Sequence, residues 1–327
     1  MGRSSSQADS PAPRAYITRA FTGRTLSPEG FYRICRLALW SLVGIVVSGA
    51  AVRLTDSGLG CADWPHCDDD QLIPAADLHG WIEFGNRLVT GVVSIAVILA
   101  VLGARHRAPI RHDLIRWAWG LVGGVLGQIL LGAITVRTHL SPPVVMSHFL
   151  LSIVLVWNSV ILTWRANPQP VPSRPPLPTI LVRLTWISAT LATIVIFTGT
   201  IVTAAGPHGG DETAKRLDIA IPSAARVHGI TVVALVSTVV LIGILARRIP
   251  SAERIRRRAD MALGWLLVQA GIGYLQYFND VPPALVGLHI AGATLGWIAV
   301  LRLVLATRTQ PNPPHTSDAN PQLLVSP

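Results

Sequence analysis

Histidine ends two similar stretches of this chain. His148 ends GQILLGAITVRTHLSPPVVMSH, and His289 ends VQAGIGYLQYFNDVPPALVGLH. In each stretch a Gln stands twenty positions before the histidine, and a Pro-Pro pair comes shortly before it. A histidine kept only for packing has no reason to recur in such a frame. Neutral imidazole is a good axial ligand for heme iron, so the repeat predicts a duplicated heme site.

A third histidine, His228, lies near the outer end of an apolar segment, as His148 and His289 do. Ionisable groups inside membrane spans are rare and usually functional. Two helices of one four-helix unit can hold a heme between them when each contributes a histidine at the same depth. His228 and His289 are therefore predicted to ligate one heme. The alternative is that both are polar core groups with satisfied hydrogen bonds.

A weaker repeat begins the two halves of the chain. SGAAVRLTDSG starts at Ser48, and TGTIVTAAGPHG starts at Thr198. In the frame of the stronger repeat, Asn86 falls within one position of His228. Because Asn is a poor iron ligand, only the second half keeps a full histidine pair.

The first half has a carboxylate in place of the missing histidine. Glu83 lies three positions before Asn86 and shares its helical face. His79 would share that face if the helix extends so far. The pattern predicts one strong iron ligand, His148, and an open iron position beside a carboxylate, which suits chemistry rather than electron transfer. The alternative for Glu83 is an ion pair with Arg87, which stabilises little if it is exposed.

Several arginines occur at outer helix ends, where the charge rule disfavours them: Arg53, Arg87, Arg137 and Arg226. Heme propionates are carboxylates, which a guanidinium group binds through forked, charge-assisted hydrogen bonds. Arg53 and Arg87 are the candidates for that role. The alternative is that these side chains only extend to the membrane interface.

Cys61 and Cys67 lie in CADWPHC, within the first outer loop. The outer side of a membrane is oxidising and favours a disulfide, although so small a loop gains only modest stability from it. A structural crosslink is the leading interpretation. A redox-active pair and a metal site that includes His66 are the alternatives. Cys35 is interpreted as an inert apolar residue.

The composition is that of a membrane protein. Of the 327 residues, 50% are hydrophobic and 13% are charged, whereas soluble chains carry about 25% charged residues. The mean hydropathy is +0.49. Apolar residues form segments near or above the roughly 18 residues that signal a membrane span. We expect eight spans, at about 34–54, 83–103, 115–136, 143–164, 181–203, 225–246, 260–278 and 283–305.

The formal net charge of +10 indicates orientation rather than a nucleic-acid partner. Basic residues collect before the first span and after the even-numbered spans, whereas acidic residues collect in the opposite loops. Positive charge favours the cytoplasmic side, so both termini are predicted to be cytoplasmic. A nucleic-acid-binding protein would also need aromatic or groove-reading elements, and the basic residues are accounted for without them.

The repeat after four spans predicts an all-α integral membrane protein, with eight transmembrane helices in two pseudo-symmetric four-helix bundles. The bundles cover residues 29–165 and 181–307, and a Pro-rich cytoplasmic linker at 166–180 joins them. Residues 1–28 and 308–327 are expected to be disordered cytoplasmic tails, because Ser, Pro, Gln and Asn dominate them.

These features together resemble the heme A synthase family of cytochrome oxidase assembly enzymes. The resemblance covers about residues 33–306 and rests on the two four-span halves, GxxVRLTDSGLGCADWPHC, WIEFGNR and the three histidines. It implies an enzyme of the bacterial plasma membrane that oxidises the C8 methyl group of heme O to the formyl group of heme A by successive hydroxylations. Heme b would be the cofactor, with heme O and heme A as substrate and product.

The resemblance also implies roles for individual residues. Glu83 would be the catalytic carboxylate, and Cys61 with Cys67 would form an outer-loop disulfide. The heme ligands would be His148 in the substrate site and His228 with His289 around heme b.

This chain departs from the family in one respect. Many members have EXXH where it has Glu83 to Asn86. The second ligand of the substrate iron would then be His79 or water, or the position would stay open. A diheme b-type electron-transfer cytochrome is the alternative function and predicts two similar bis-histidine sites. A scaffold or transporter predicts no tightly held heme. Heme O synthase, cytochrome oxidase subunits and a second copy of the chain are the protein partners that the resemblance suggests.

Overall fold

The computed structural model describes residues 25–61, 64, 66–67, 73–74, 77–169 and 177–309. Most of the two predicted tails, and residues 170–176 of the predicted linker, lie outside these ranges. The described part of the chain is helical and contains no β-strand. Its long helices are α1 (Pro28–Leu54), α2 (Leu78–His106), α3 (His112–Arg137), α4 (Pro142–Ala166), α5 (Thr179–Ala205), α6 (Ile221–Arg247), α7 (Glu253–Phe278) and α8 (Pro283–Leu305), with a short 3-10 helix at Pro250–Ala252 before α7.

Within the described residues, seven helices are long and apolar enough to cross a membrane, namely α1 to α6 and α8. Large hydrophobic side chains such as Leu88, Ile95 and Leu130 are 59%, 61% and 63% exposed, as expected of helix faces that lie against lipid. α7 is long enough, but charged residues crowd its first two turns. The all-helical membrane architecture is confirmed, and the eighth span stays a prediction.

α2 begins further out than its apolar residues alone predict. The Asp77 carboxylate accepts a hydrogen bond from the Gly80 backbone N–H at 2.8 Å. It thereby satisfies one of the donors that a first helical turn leaves unpaired. The helix therefore starts at Leu78, which brings both His79 and Glu83 into it.

The α3–α4 and α7–α8 connections share one backbone conformation. His139 and Leu140 have φ values of 47° and 57°, and Asp280 and Val281 have values of 57° and 56°. Side chains other than glycine adopt this left-handed region at a cost, so it is uncommon. The same turn precedes α4 and α8, and both helices begin at a proline. The repeat seen in the sequence is therefore also present in the backbone conformation.

The helices pack in a pattern that repeats between α1–α4, called the first half, and α5–α8, called the second half. In each half consecutive helices pack together, and the first helix packs on the fourth. Between the halves, α1 packs on α8, α4 packs on α5, and α4 packs on α8. Exchanging the two halves leaves this set of contacts unchanged. The four helices α1, α4, α5 and α8 therefore join the halves.

The two halves are also joined by hydrogen bonds where α1, α3, α5 and α7 end, which we call the histidine end. Arg53 Nε donates to the His208 carbonyl at 2.7 Å, and Arg53 Nη2 donates to the Thr203 carbonyl at 2.9 Å. The Gly58 N–H donates to the Gly210 carbonyl at 2.7 Å. A Cβ at Gly58 would lie 2.9 Å from that carbonyl oxygen, so this close approach requires glycine.

Candidate functional site

The structure brings His228 and His289 together on facing helices of the second half. Their ring centroids are 6.4 Å apart, with an interplanar angle of 74°. A metal bound to one nitrogen of each ring, at about 2 Å as in other imidazole–metal bonds, would hold the two centroids roughly 6 Å apart. The observed separation therefore suits one iron between the two rings.

The two Nδ1 atoms of this pair differ in their surroundings. His228 Nδ1 lies 3.1 Å from Thr198 Oγ1. That hydroxyl donates to the Ile194 carbonyl at 2.9 Å, so it is able to accept from an Nδ1–H group. His289 Nδ1 is buried and has no hydrogen-bond partner among the described residues. Because a partner on Nδ1 favours the tautomer with a free Nε2, the environment of His228 fits Nε2 ligation.

Each of the three histidines lies against a glycine of the preceding helix. A Cβ on that glycine would lie between 3.2 and 3.6 Å from the imidazole Cε1 atom. A larger side chain would therefore press on the ring. The pairs are Gly132 with His148 at 3.6 Å, Gly199 with His228 at 3.2 Å, and Gly273 with His289 at 3.4 Å.

In the first half, Asn86 occupies the place that His228 has in the second. Ser48 Oγ donates to Asn86 Oδ1 at 2.8 Å, just as Thr198 Oγ1 meets His228 Nδ1. The next residue of α1, Gly49, differs from its counterpart Gly199. A Cβ there would meet no heavy atom within 4 Å. Asn86 thus leaves space where an imidazole would otherwise lie.

His148 has no protein partner on its buried Nδ1 among the described residues. Its backbone is held instead, because Gln128 Nε2 donates to the His148 carbonyl at 3.0 Å and to Ser152 Oγ at 2.8 Å. Gln128 is one of the two glutamines that the repeat singled out. In this respect His148 resembles His289, whose Nδ1 is likewise buried and unpartnered.

Glu83 is a buried carboxylate, 6% exposed, in the second turn of α2. Its Oε1 accepts from Arg87 Nη2 at 2.6 Å, and its Oε2 accepts from the Cys61 backbone N–H at 2.9 Å. The ion pair considered for Glu83 therefore exists, and it is largely shielded, since the side chains of Arg87 and Glu83 are 21% and 8% exposed. Each carboxylate oxygen retains a second lone pair, so the group can still accept a further hydrogen bond or a proton.

Cys61 and Cys67 form a disulfide, and both are fully buried. Their sulfurs are therefore not available as thiolate metal ligands. Arg87 Nη1 donates to the His66 carbonyl at 3.0 Å. The same loop thus receives a hydrogen bond from Arg87 and donates one to Glu83. The disulfide loop therefore packs on α2 beside Glu83 and Arg87, next to Asn86.

Three candidate residues are engaged elsewhere. His79 is exposed in the first turn of α2, and its Nδ1 lies 2.9 Å from Ser57 Oγ. The structure does not bring it to Asn86, which lies two turns further along the helix. Arg53 donates to two carbonyls of the second half, and Arg87 to Glu83 and the outer loop. The propionate role of both arginines stays a prediction.

Sequence analysis did not assign a function to Thr198, Ser48 or the three glycines that touch imidazole rings. The sequence could have indicated Ser48, Thr198 and Gly199, because the weaker repeat starts at Ser48–Gly49 and at Thr198–Gly199. Within the described residues, no three His, Cys, Asp or Glu side chains are grouped to hold a metal ion. A pair of imidazoles suits a metal that brings its other ligands with it, as heme iron does.

Comparison with known proteins supports the resemblance. The profile of a family described as "Cytochrome oxidase assembly protein" matches residues 32–207, more than half of the chain. The matched range contains Glu83 and His148 and ends before His228 and His289. The repeat between the halves is therefore the main support for assigning His228 and His289, in the second half, as a ligand pair.

Several curated relatives are named "Heme A synthase". The protein of Geobacillus kaustophilus (strain HTA426) is 32% identical over 136 residues, which is 40% of this chain and 42% of the relative. That of Oceanobacillus iheyensis is 32% identical over 124 residues, 37% of each chain. That of Exiguobacterium sibiricum is 28% identical over 165 residues, 50% of this chain and 56% of the relative.

The chain thus spans less than half the length of the first two relatives, at 42% and 37%. Its apolar helices and its bacterial relatives together make it a multi-pass protein of the bacterial plasma membrane.

Proposed function

The chain belongs to the cytochrome oxidase assembly protein family, and from that membership we propose that it is a heme A synthase. It would oxidise the C8 methyl group of heme O to a formyl group by successive hydroxylations. The observation that carries the proposal is the difference between two equivalent sites. One has two imidazoles 6.4 Å apart. The other has one imidazole, an asparagine and a buried carboxylate.

In the proposed second site, His228 and His289 bind the iron of a resident heme b. A heme with two histidine ligands supplies one-electron oxidation and reduction. Thr198 orients the His228 ring through Nδ1, and Gly199 with Gly273 lets both rings lie close to the neighbouring helices. Such partners behind a metal ligand fix its orientation and raise its basicity.

In the proposed first site, His148 binds the iron of the substrate, heme O. The prenyl tail of the substrate would lie among apolar side chains. Glu83 would accept a proton or orient water during the hydroxylations. Its bonds to Arg87 and to the Cys61 N–H hold the carboxylate in one orientation.

The membrane topology belongs to the same proposal. We place α7 in the membrane as the eighth span, both termini in the cytoplasm, and the histidine end on the outer side. The disulfide Cys61–Cys67 supports this orientation, because disulfides persist in oxidising compartments. The two four-helix units would then be related by an axis along the membrane normal. Heme O synthase, cytochrome oxidase subunits and a second copy of the chain are the protein partners we expect.

Extraction of hemes from purified protein tests the function. The protein would be produced in cells that also make heme O, and the extracted hemes separated by chromatography. We expect heme b together with heme O or heme A. Heme b alone, at two per chain, would instead favour an electron-transfer cytochrome. A protein without heme would contradict both functions.

A further inference from the structure

The two halves provide four equivalent positions for an iron ligand, and only one of them lacks histidine. His148, His228 and His289 each pack an imidazole against a glycine, at 3.6, 3.2 and 3.4 Å from its Cβ position. At the fourth position the partner glycine, Gly49, has no heavy atom within 4 Å of its Cβ position. The glycine is present although no imidazole fills the space beside it.

The side chain of Asn86 has a fixed orientation. Ser48 Oγ donates to its Oδ1 at 2.8 Å, which turns the amide oxygen towards α1. The amide Nδ2 therefore points away from Ser48 and towards the interior of the first half, where it can donate to a further group. In the second half the corresponding hydroxyl, Thr198 Oγ1, meets a ring nitrogen instead.

The correspondence between the two halves indicates where the space beside Gly49 and Asn86 would lie relative to an iron. His228 and His289 face each other, and their equivalents are Asn86 and His148. A heme iron held by His148 would thus have its second axial position on the side of Asn86. An amide there is too poor a ligand to fill that position, but its N–H groups are hydrogen-bond donors.

We propose that Ser48, Gly49 and Asn86 form a pocket for one small neutral ligand on the iron, of the size of water or a diatomic molecule, with Asn86 Nδ2 as its hydrogen-bond donor. This rests on the proposed function, because it requires a heme at His148. The asparagine at position 86, where many members of the family have histidine, then has a role in ligand binding. The substitution keeps one of the two irons accessible to exogenous ligands.

Carbon monoxide added to the reduced, purified protein is the probe. We expect half of the bound heme to take up carbon monoxide and half to remain unchanged in the optical spectrum. N86H should lose this binding, because an imidazole beside Gly49 would occupy the axial position. The matched variant H228N should gain it in the second half, where it recreates the arrangement of the first.

Two milder variants test the donor and the space separately. N86A should keep carbon monoxide binding but shift the C–O stretching vibration to higher frequency, because the N–H donor is lost. G49A should retain the heme content and bind carbon monoxide at least several-fold more weakly, because its methyl group narrows the pocket. These variants decide the question even if N86H fails to assemble.

The outcomes separate this proposal from the proposed function. A wild-type protein that holds heme b and heme O but binds no carbon monoxide would overturn the pocket and leave the synthase proposal standing. Unchanged affinity and stretching frequency in both N86A and G49A would overturn it as well. A protein that never acquires a second heme would instead contradict the proposed function on which the pocket depends.

Discussion

Glu83 has two roles to fill with a single carboxylate. Its bonds to Arg87 and to the Cys61 N–H dock the disulfide loop on α2, whereas the proposed chemistry needs the carboxylate to exchange protons. The amide of glutamine has nearly the same shape, and its one oxygen can still accept from the Cys61 N–H, but it loses the bond from Arg87 and cannot act as a base. A Glu83→Gln substitution therefore keeps one docking bond while it removes the base.

For E83Q we expect the ratio of heme A to heme O to fall by about 10²-fold or more, the usual contribution of a general acid–base group. The amount of heme b per chain should stay the same. Both are measured by chromatography of extracted hemes. D113N is the matched control, because it removes a carboxylate paired with Arg111 and Arg165 far from the histidines. Wild-type conversion by E83Q would show that Glu83 has only the docking role.

Thr198 is the second residue with a specific expected effect. Its hydroxyl is the partner of His228 Nδ1, and loss of such a partner typically weakens metal binding by about 10–100-fold. T198V should accordingly lose heme b from the second half during purification, measured as heme b per chain. S48A is the matched control, since its hydroxyl contacts an amide rather than a ligand ring, and it should retain heme b. Equal retention by both variants would exclude a supporting role for Thr198.

At the scale of the helix, glycines decide how closely α5 approaches α6 and α7 approaches α8. A methyl group at Gly199 would lie 3.2 Å from His228 Cε1, closer than ordinary van der Waals contact, so the ring would have to move. G199A should shift or broaden the optical bands of the bis-histidine heme and lower its content. G229A adds the same methyl group to α6 where nothing lies within 4 Å. It should leave the spectrum unchanged and, if anything, stabilise the helix. Identical spectra for the two variants would contradict this account.

The elements also show which features could be predicted from the sequence. The three histidines and Glu83 were identifiable because ionisable residues stand out in apolar helices and because two of the histidines recur in one frame. Thr198 and Ser48 did not stand out, because a hydroxyl in an apolar helix is ordinary until the packing of two helices gives it a partner. α2 begins before the apolar span predicted at about 83–103, since hydropathy detects apolar residues and not the Asp77 cap.

At the scale of the whole molecule, the two halves are similar in backbone and different in chemistry. The repeated turns and repeated helix contacts preserve one architecture. The difference at Asn86, together with the carboxylate at Glu83, distinguishes the proposed substrate site from the proposed heme b site. A duplicated fold of this kind can hold two hemes at one depth and assign each a separate task, provided that the halves stay in register.

Arg53 is the side chain that we expect to hold that register. It lies in the last turn of α1, yet its two hydrogen bonds are to the carbonyls of Thr203 and His208 in the second half. R53A would remove two part-buried hydrogen bonds, although the Thr203 carbonyl would still accept from the Gly206 N–H at 3.2 Å, and the cost would be roughly 1 kcal/mol for each lost bond. The melting temperature in detergent should fall, and both hemes should be lost together rather than one at a time.

R137A is the matched control, because Arg137 ends α3 as Arg53 ends α1, but it is exposed and makes no hydrogen bond to the described residues. Its melting temperature and heme content should equal those of the wild type. If R53A melts like R137A, Arg53 does not hold the halves together, and the remaining contacts between them are sufficient. If R53A loses only the first-half heme, Arg53 acts on that site directly, as the propionate prediction requires.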